Sequence, residues 1–111
     1  MKEFKKLPQA ESCRRIDFDS VEIRPGFVSG TNILIVTGTK PYKNMKVRLA
    51  PLVYIKRPEY WGIEVVGCLH GIGLPATTSY TASIQLKSIT GTKGIEVIGA
   101  TKRVKRIVPP K

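Results

Sequence analysis

Tyr80-Thr81-Ala82-Ser83-Ile84-Gln85-Leu86-Lys87 decides the fold class of this chain. Apolar and polar residues alternate strictly, so Tyr80, Ala82, Ile84 and Leu86 share one face of an extended strand and Thr81, Ser83, Gln85 and Lys87 share the other. The same period recurs upstream. Met45, Val47 and Leu49 alternate with Lys46 and Arg48, and Ile16 and Phe18 alternate with Arg15, Asp17 and Asp19. Asn32–Thr37 is more continuously apolar and reads as a strand buried on both faces. No window of about ten residues free of Gly and Pro carries apolar positions at i, i+3, i+4 and i+7, so helix signals are nearly absent.

Gly and Pro punctuate these runs at Pro25-Gly26, Gly30, Gly38, Pro41, Pro58, Gly71 to Gly73, Pro75 and Gly91. The spacing predicts an all-β fold: a small antiparallel β-sandwich of about seven strands with an immunoglobulin-like outline. A five-stranded barrel of the oligonucleotide-binding type is the alternative. Pro51, inside the run Met45–Ile55, is expected at an edge or a bulge, because it lacks the N–H that a central ladder needs.

Two short motifs recur. Gly62-Ile63-Glu64-Val65-Val66-Gly67 returns as Gly94-Ile95-Glu96-Val97-Ile98-Gly99, offset by 32, and Thr37-Gly38-Thr39-Lys40 returns as Thr90-Gly91-Thr92-Lys93, offset by 53. Unequal offsets rule out a tandem array. The simple reading is two strands and two hairpin turns meeting similar local demands. The alternative is a pseudo-symmetric sandwich with the two Gly-Ile-Glu-Val strands in different sheets. In both copies the Glu faces away from Ile and Val, toward the surface.

The chain has 111 residues, 41% of them hydrophobic and 24% charged, enough for the core of one domain. Residues 1–12 read as a flexible N-terminal segment, 13–108 as a single β domain and 109–111 as a tail. No apolar run approaches the roughly 18 residues of a membrane span. The N-terminal stretch is basic but lacks an apolar h-region, which disfavours export and points to a cytoplasmic location. Cys13 and Cys68 are then expected to remain reduced thiols. With two Cys, one His and no Cys-x-x-Cys, neither a metal site nor a cofactor is expected.

Enzyme signatures are weak. Cys68 and His70 share a strand face and could form a nucleophile–base pair, but a Cys beside a turn His is the plainer reading. Asp17 and Asp19 also share a face, and read better as a solvated strand balanced by Arg14, Arg15 and Arg24 than as catalytic or metal-holding carboxylates. The Gly71-Ile72-Gly73 segment precedes no helix, so it is not a dinucleotide loop.

Charge is the stronger signal. Residues 1–24 carry six Lys/Arg and five Asp/Glu, whereas residues 25–111 carry thirteen Lys/Arg and three Asp/Glu, a net of +10. Such asymmetry attracts polyanions. Lys40, Lys43, Lys46, Arg48, Lys56 and Arg57 lie in a stretch without acids, Lys40 to Arg57, beside Tyr42, Tyr54, Tyr60 and Trp61. Bases stacked on rings, with phosphates on Lys and Arg, is how single-stranded nucleic acid is bound. Lys102, Arg103, Lys105 and Arg106 add a basic edge strand that frays after Val108. The expectation is a non-enzymatic basic binding module. Its site would comprise Lys40, Tyr42, Lys43, Lys46, Arg48, Lys56, Arg57, Tyr60 and the four bases of the tail, and its partner would be single-stranded nucleic acid or an acidic protein surface. The alternative is a structural or protein-interaction sandwich without catalytic activity, self-associating through edge strands.

Overall fold

The computed structural model describes residues 11–108, so the expectations for residues 1–10 and 109–111 lie outside it. The described residues form eight β-strands: β1 (Glu11–Arg15), β2 (Ser20–Pro25), β3 (Asn32–Tyr42), β4 (Lys46–Pro51), β5 (Tyr60–His70), β6 (Pro75–Gln85), β7 (Gly94–Ile98) and β8 (Arg103–Ile107). They build two sheets, and the all-β sandwich follows the alternation in the sequence.

Sheet I is organised on β5. β4 runs antiparallel along one side, pairing Lys46–Pro51 with Cys68–Ile63. β1 and β7 share the other side, end to end: β1 pairs antiparallel with Val66–His70, and β7 runs parallel to Tyr60–Glu64. β8 closes this side, antiparallel to β7. Sheet II places β3 between β2 and β6, both antiparallel to it. The chain leaves sheet I after β5, runs through β6 in sheet II and returns as β7, which is the crossover that parallel neighbours require.

The core lies between the sheets. Leu34, Val36, Tyr80 and Ala82 of sheet II face Leu49, Ile63, Val65, Ile95 and Val97 of sheet I, and Ile16, Phe18, Met45, Leu86 and Val108 close the ends. Each fully buried aliphatic side chain contributes on the order of 1.5–3 kcal/mol. Met45, Val47 and Leu49 point inward while Lys46 and Arg48 stay exposed, as their alternation requires. Pro51 ends the edge strand β4.

Three expectations and one alternative need correction. Cys13 and Cys68 form a disulfide. The two residues are register partners across β1 and β5, and nothing local in the sequence brings β1 to that part of β5. Thr37-Gly38-Thr39-Lys40 is not a turn but lies within β3. Gly38 is there because a Cβ would come within 3.0 Å of the Tyr80 hydroxyl and the Phe18 backbone. Its counterpart Thr90–Lys93 does lie in the β6–β7 loop. The two Gly-Ile-Glu-Val strands are parallel neighbours in one sheet, two residues out of step, with Gly62 opposite Glu96. Lastly, β3 is buried on one face only. Leu34 and Val36 are fully buried, but Ile33 and Ile35 are half-exposed beside Gln85 and Ser83, because no layer covers the outer face of sheet II among the described residues.

Candidate polyanion site

The β3–β4 turn is fixed by Asn44. Its Nδ2 donates to the Ile72 carbonyl at 3.1 Å, and its Oδ1 accepts from the Leu74 amide at 2.8 Å, locking this turn to the β5–β6 turn. The Lys43 amide adds a bond to the Leu74 carbonyl at 2.9 Å, and the Met45 amide closes on the Tyr42 carbonyl at 3.1 Å. Three lysines converge on this frame. Pairing of β3 with β6 slips between Lys40 and Tyr42, at Pro41, whose ring nitrogen has no hydrogen to give the ladder. The half-buried Lys40 Nζ donates to the Met45 carbonyl at 2.7 Å, which leaves two of its three hydrogens for other acceptors. Lys43 projects from the turn and Lys46 from the start of β4, both exposed.

Between β4 and β6 runs an open groove of about 510 Å³, lined by Lys40, Lys43, Lys46, Asn44, Tyr80 and Thr81 among others, with no carboxylate among its lining residues. Three positive charges around one concavity focus potential on it. Tyr80 contributes no charge: burial first, then the negative charges of Asp19 and Asp17, push its hydroxyl up to about 12. That hydroxyl donates to the Asp17 carbonyl at 2.9 Å.

The remaining basic residues lie elsewhere. Arg48 sits on the outer face of sheet I, in one register row with Val66 and Arg15. The same face carries Glu64, 3.9 Å from Arg15, and Glu96, 3.8 Å from Arg103, so charge there is mixed. Lys105 places its ammonium 4.9 Å from the centre of the Tyr60 ring. Lys102 donates to the Phe18 carbonyl at 2.7 Å and lies over the Phe18 ring, while Arg106 bonds the Lys105 carbonyl. Lys56 and Arg57 belong to the β4–β5 loop, beyond the far end of β4, a strand of six residues and so roughly 20 Å long. Arg57 is spent on the β6–β7 loop, donating to the Thr90 carbonyl at 2.9 Å and the Gly91 carbonyl at 3.1 Å. The structure therefore brings together Lys40, Lys43 and Lys46 and separates them from the other bases.

The aromatic residues are committed to the fold. Tyr54 meets Trp61 edge-on at 5.1 Å, accepts the Gly62 amide on its hydroxyl, and leaves the Trp61 indole to donate to the Leu52 carbonyl. Tyr42 packs on Gly73, where a Cβ would fall 2.5 Å from its ring. Sequence reasoning missed Asn44, whose role depends on a turn thirty residues away, and Lys87, which continues the alternation of β6 and lines a second cavity with Arg57.

Neither acidic nor thiol chemistry gathers here. The Cys68 sulfur is bonded to Cys13, which removes the nucleophile of the Cys68–His70 pairing. Asp17 accepts the Thr101 amide at 2.8 Å and the Thr101 hydroxyl, and these bonds hold its carboxyl below the usual carboxylate range. It ties the β1–β2 link to the β7–β8 turn. No family model, curated protein or solved structure matches this chain.

Proposed function

We propose that this chain is a non-enzymatic binding module for a polyanion, such as single-stranded nucleic acid, held in the groove between β4 and β6. The observation that carries the reading is the convergence of Lys40, Lys43 and Lys46 on one concavity without a lining carboxylate. Recognition there is by phosphate or sulfate charge. The tyrosines nearby are packed into the fold and leave base stacking a small part.

The disulfide bears on location. A cross-strand pair that consumes both cysteines fits an oxidising compartment better than the cytoplasm. No helix among the described residues is long and apolar enough to cross a membrane.

The test is an anisotropy titration of a labelled single-stranded oligonucleotide, with heparin as competitor, at low and physiological salt. Three lysines neutralising three phosphates give a log–log salt slope of about −2, at about −0.7 per contact. Lys43→Glu with Lys46→Glu abolishes binding without lowering the thermal midpoint, since both side chains are exposed. Lys40 is a poorer probe because its bond to Met45 also holds the turn. Absence of binding at low salt sinks the proposal and favours an interaction domain with a protein partner.

A further inference from the structure

The opposite end of the sandwich carries a second surface of different chemistry. The register sets it out: Pro25 pairs with Asn32, Ile33 with Gln85, Pro51 with Ile63, and Gly94 with both Tyr60 and Ile107. The β2–β3, β4–β5 and β6–β7 loops and the end of β8 therefore emerge together. A cavity of about 360 Å³ joins them, lined by Thr31 from the first loop, Asn32 at the start of β3, Arg57 from the second loop, and Lys87, Thr90 and Gly91 from the third.

Of the seven large hydrophobic residues exposed among the described residues, five lie at this end: Phe27, Val28, Val53, Ile55 and Ile107. Phe27 is 101% exposed, Val53 95% and Ile55 104%, as open as in an extended peptide. This exposure is built into the loop. Tyr54, between Val53 and Ile55, is anchored on Trp61 and the Gly62 amide, and Arg57 is pinned to Thr90 and Gly91. With those residues turned inward, their neighbours are held outward. The three loops, residues 26–31, 52–59 and 86–93, contain Lys56, Arg57, Lys87 and Lys93 against one acid, Glu59. Glu59 is 3.5 Å from Lys93 and so leaves the other bases uncompensated in these loops.

We infer that this end docks on an anionic membrane interface, with Phe27, Val53 and Ile55 entering the acyl boundary and Lys56 and Lys87 at the level of the lipid phosphates. Separate, fully exposed apolar tips suit a fluid interface, which accepts each one where it falls. A protein partner would need a matched pocket for each, and protein interfaces present contiguous patches. Interfacial binding adds apolar insertion to attraction by basic residues for anionic lipid, and both are present on the same loops.

The experiment is sedimentation of the full chain with vesicles of phosphatidylcholine, with and without phosphatidylserine. The expected result is retention on the phosphatidylserine vesicles, weakened by salt. Phe27→Ser with Ile55→Ser lowers the partition coefficient roughly tenfold or more, and Lys56→Ala or Lys87→Ala about fivefold each. The thermal midpoint stays unchanged, because these side chains are exposed. Ile72→Ser, at the other end, leaves partitioning unchanged, as does Lys43→Glu with Lys46→Glu, which separates this surface from the lysine groove. In an Ile55→Trp variant, emission shifts to the blue on adding anionic vesicles, beyond any change shown by Trp61 in the wild type. No retention on phosphatidylserine vesicles, an unaffected loop variant, or an equal loss with Ile72→Ser overturns the inference.

Discussion

Cys13 and Cys68 face each other directly across the β1–β5 ladder, and their disulfide ties β1, an edge strand, to the central strand of sheet I. Cys13 is exposed and Cys68 is 3% exposed, and the bridge lies on the outer face of sheet I, in one register row with Lys46. Its two ends are 55 residues apart. Loop closure of that length restricts the unfolded chain by roughly 4 kcal/mol in the chain-entropy estimate, with 2–4 kcal/mol the usual measured range. Cys13→Ala is expected to cost about that much in urea unfolding, and reductant should lower the wild type to the same level. Cys68→Ala should cost more, because it also empties a buried site. Alkylation of the denatured, unreduced protein followed by mass spectrometry should find no modified thiol, and two modified thiols would remove the bridge.

Asp17 and Thr101 predict an acid limit to stability. The carboxylate accepts the Thr101 hydroxyl and amide, and its proton affinity falls below that of an ordinary Asp. A lowered folded-state value contributes stability that is fully present above the unfolded-state value and is lost as pH falls through the folded one. The thermal midpoint should therefore drop on acidification below the ordinary Asp range. Asp17→Asn should flatten that drop and lower the midpoint at neutral pH, because an amide cannot accept both bonds through charged oxygens. An unchanged acid limb in Asp17→Asn would show that other carboxylates set it.

Tyr80 predicts an alkaline limit to stability. Its hydroxyl is pushed up to about 12, by burial and by Asp19 and Asp17. The phenol ionises near 10 in the unfolded chain. A raised folded-state value gives stability that is present below the unfolded value and lost as pH rises toward the folded one, here between about 10 and about 12. Phenolate absorbance should show a late ionisation that is absent from Tyr80→Phe, together with loss of tertiary structure. Tyr80→Phe should abolish that late step and cost about 1 kcal/mol at neutral pH, through loss of the bond to the Asp17 carbonyl.

Gly94 and Gly67 should respond differently to alanine. A Cβ at Gly94 would lie 1.9 Å from the Arg106 carbonyl oxygen, so β8 would have to leave its place on β7. A Cβ at Gly67 would meet the Met45 Sδ at 2.5 Å, and a thioether can turn aside. Gly94→Ala is expected to cost roughly 3 kcal/mol or more and Gly67→Ala roughly 1–2 kcal/mol, read from denaturant midpoints. Equal costs would contradict this account of the β7–β8 edge.

These residues also show what the sequence could carry. Alternation exposed Met45, Val47, Leu49, Tyr80 and Ala82, because one face of each strand is buried and the period is local. The disulfide, the Asp17–Thr101 tie and the parallel pairing of β5 with β7 depend on register between distant strands, and no local pattern encodes register. Gly38 looked like turn punctuation, whereas its lack of a side chain makes room for Tyr80. At the candidate site, the charge of Lys40, Lys43 and Lys46 was legible. Their convergence was not, since it depends on the slip at Pro41 and on Asn44 reaching the β5–β6 turn. Interleaved Tyr and Trp resembled a stacking surface, but their rings meet Gly73, Lys105 and one another.

Tyr60 offers the sharpest test of how the proposed polyanion recognition would work. Sequence alone makes it a base-stacking residue, whose loss would cost roughly 1–3 kcal/mol of binding. In the fold it is half-buried, with the Lys105 ammonium 4.9 Å from its ring centre, and it lies at the start of β5, where β7 begins, away from the lysine groove. Tyr60→Ala should therefore leave oligonucleotide affinity within about twofold, since it removes no contact to the ligand. Stability should fall by roughly 1–2 kcal/mol, as lost packing and a lost cation–π contact require. Lys105→Met, which uncovers the ring without removing it, should leave affinity within about twofold as well, apart from a small electrostatic decrement that salt suppresses. A tenfold loss of oligonucleotide binding in Tyr60→Ala, with heparin binding intact, would place stacked bases on this ring and move the binding surface from the groove to the β5–β8 face.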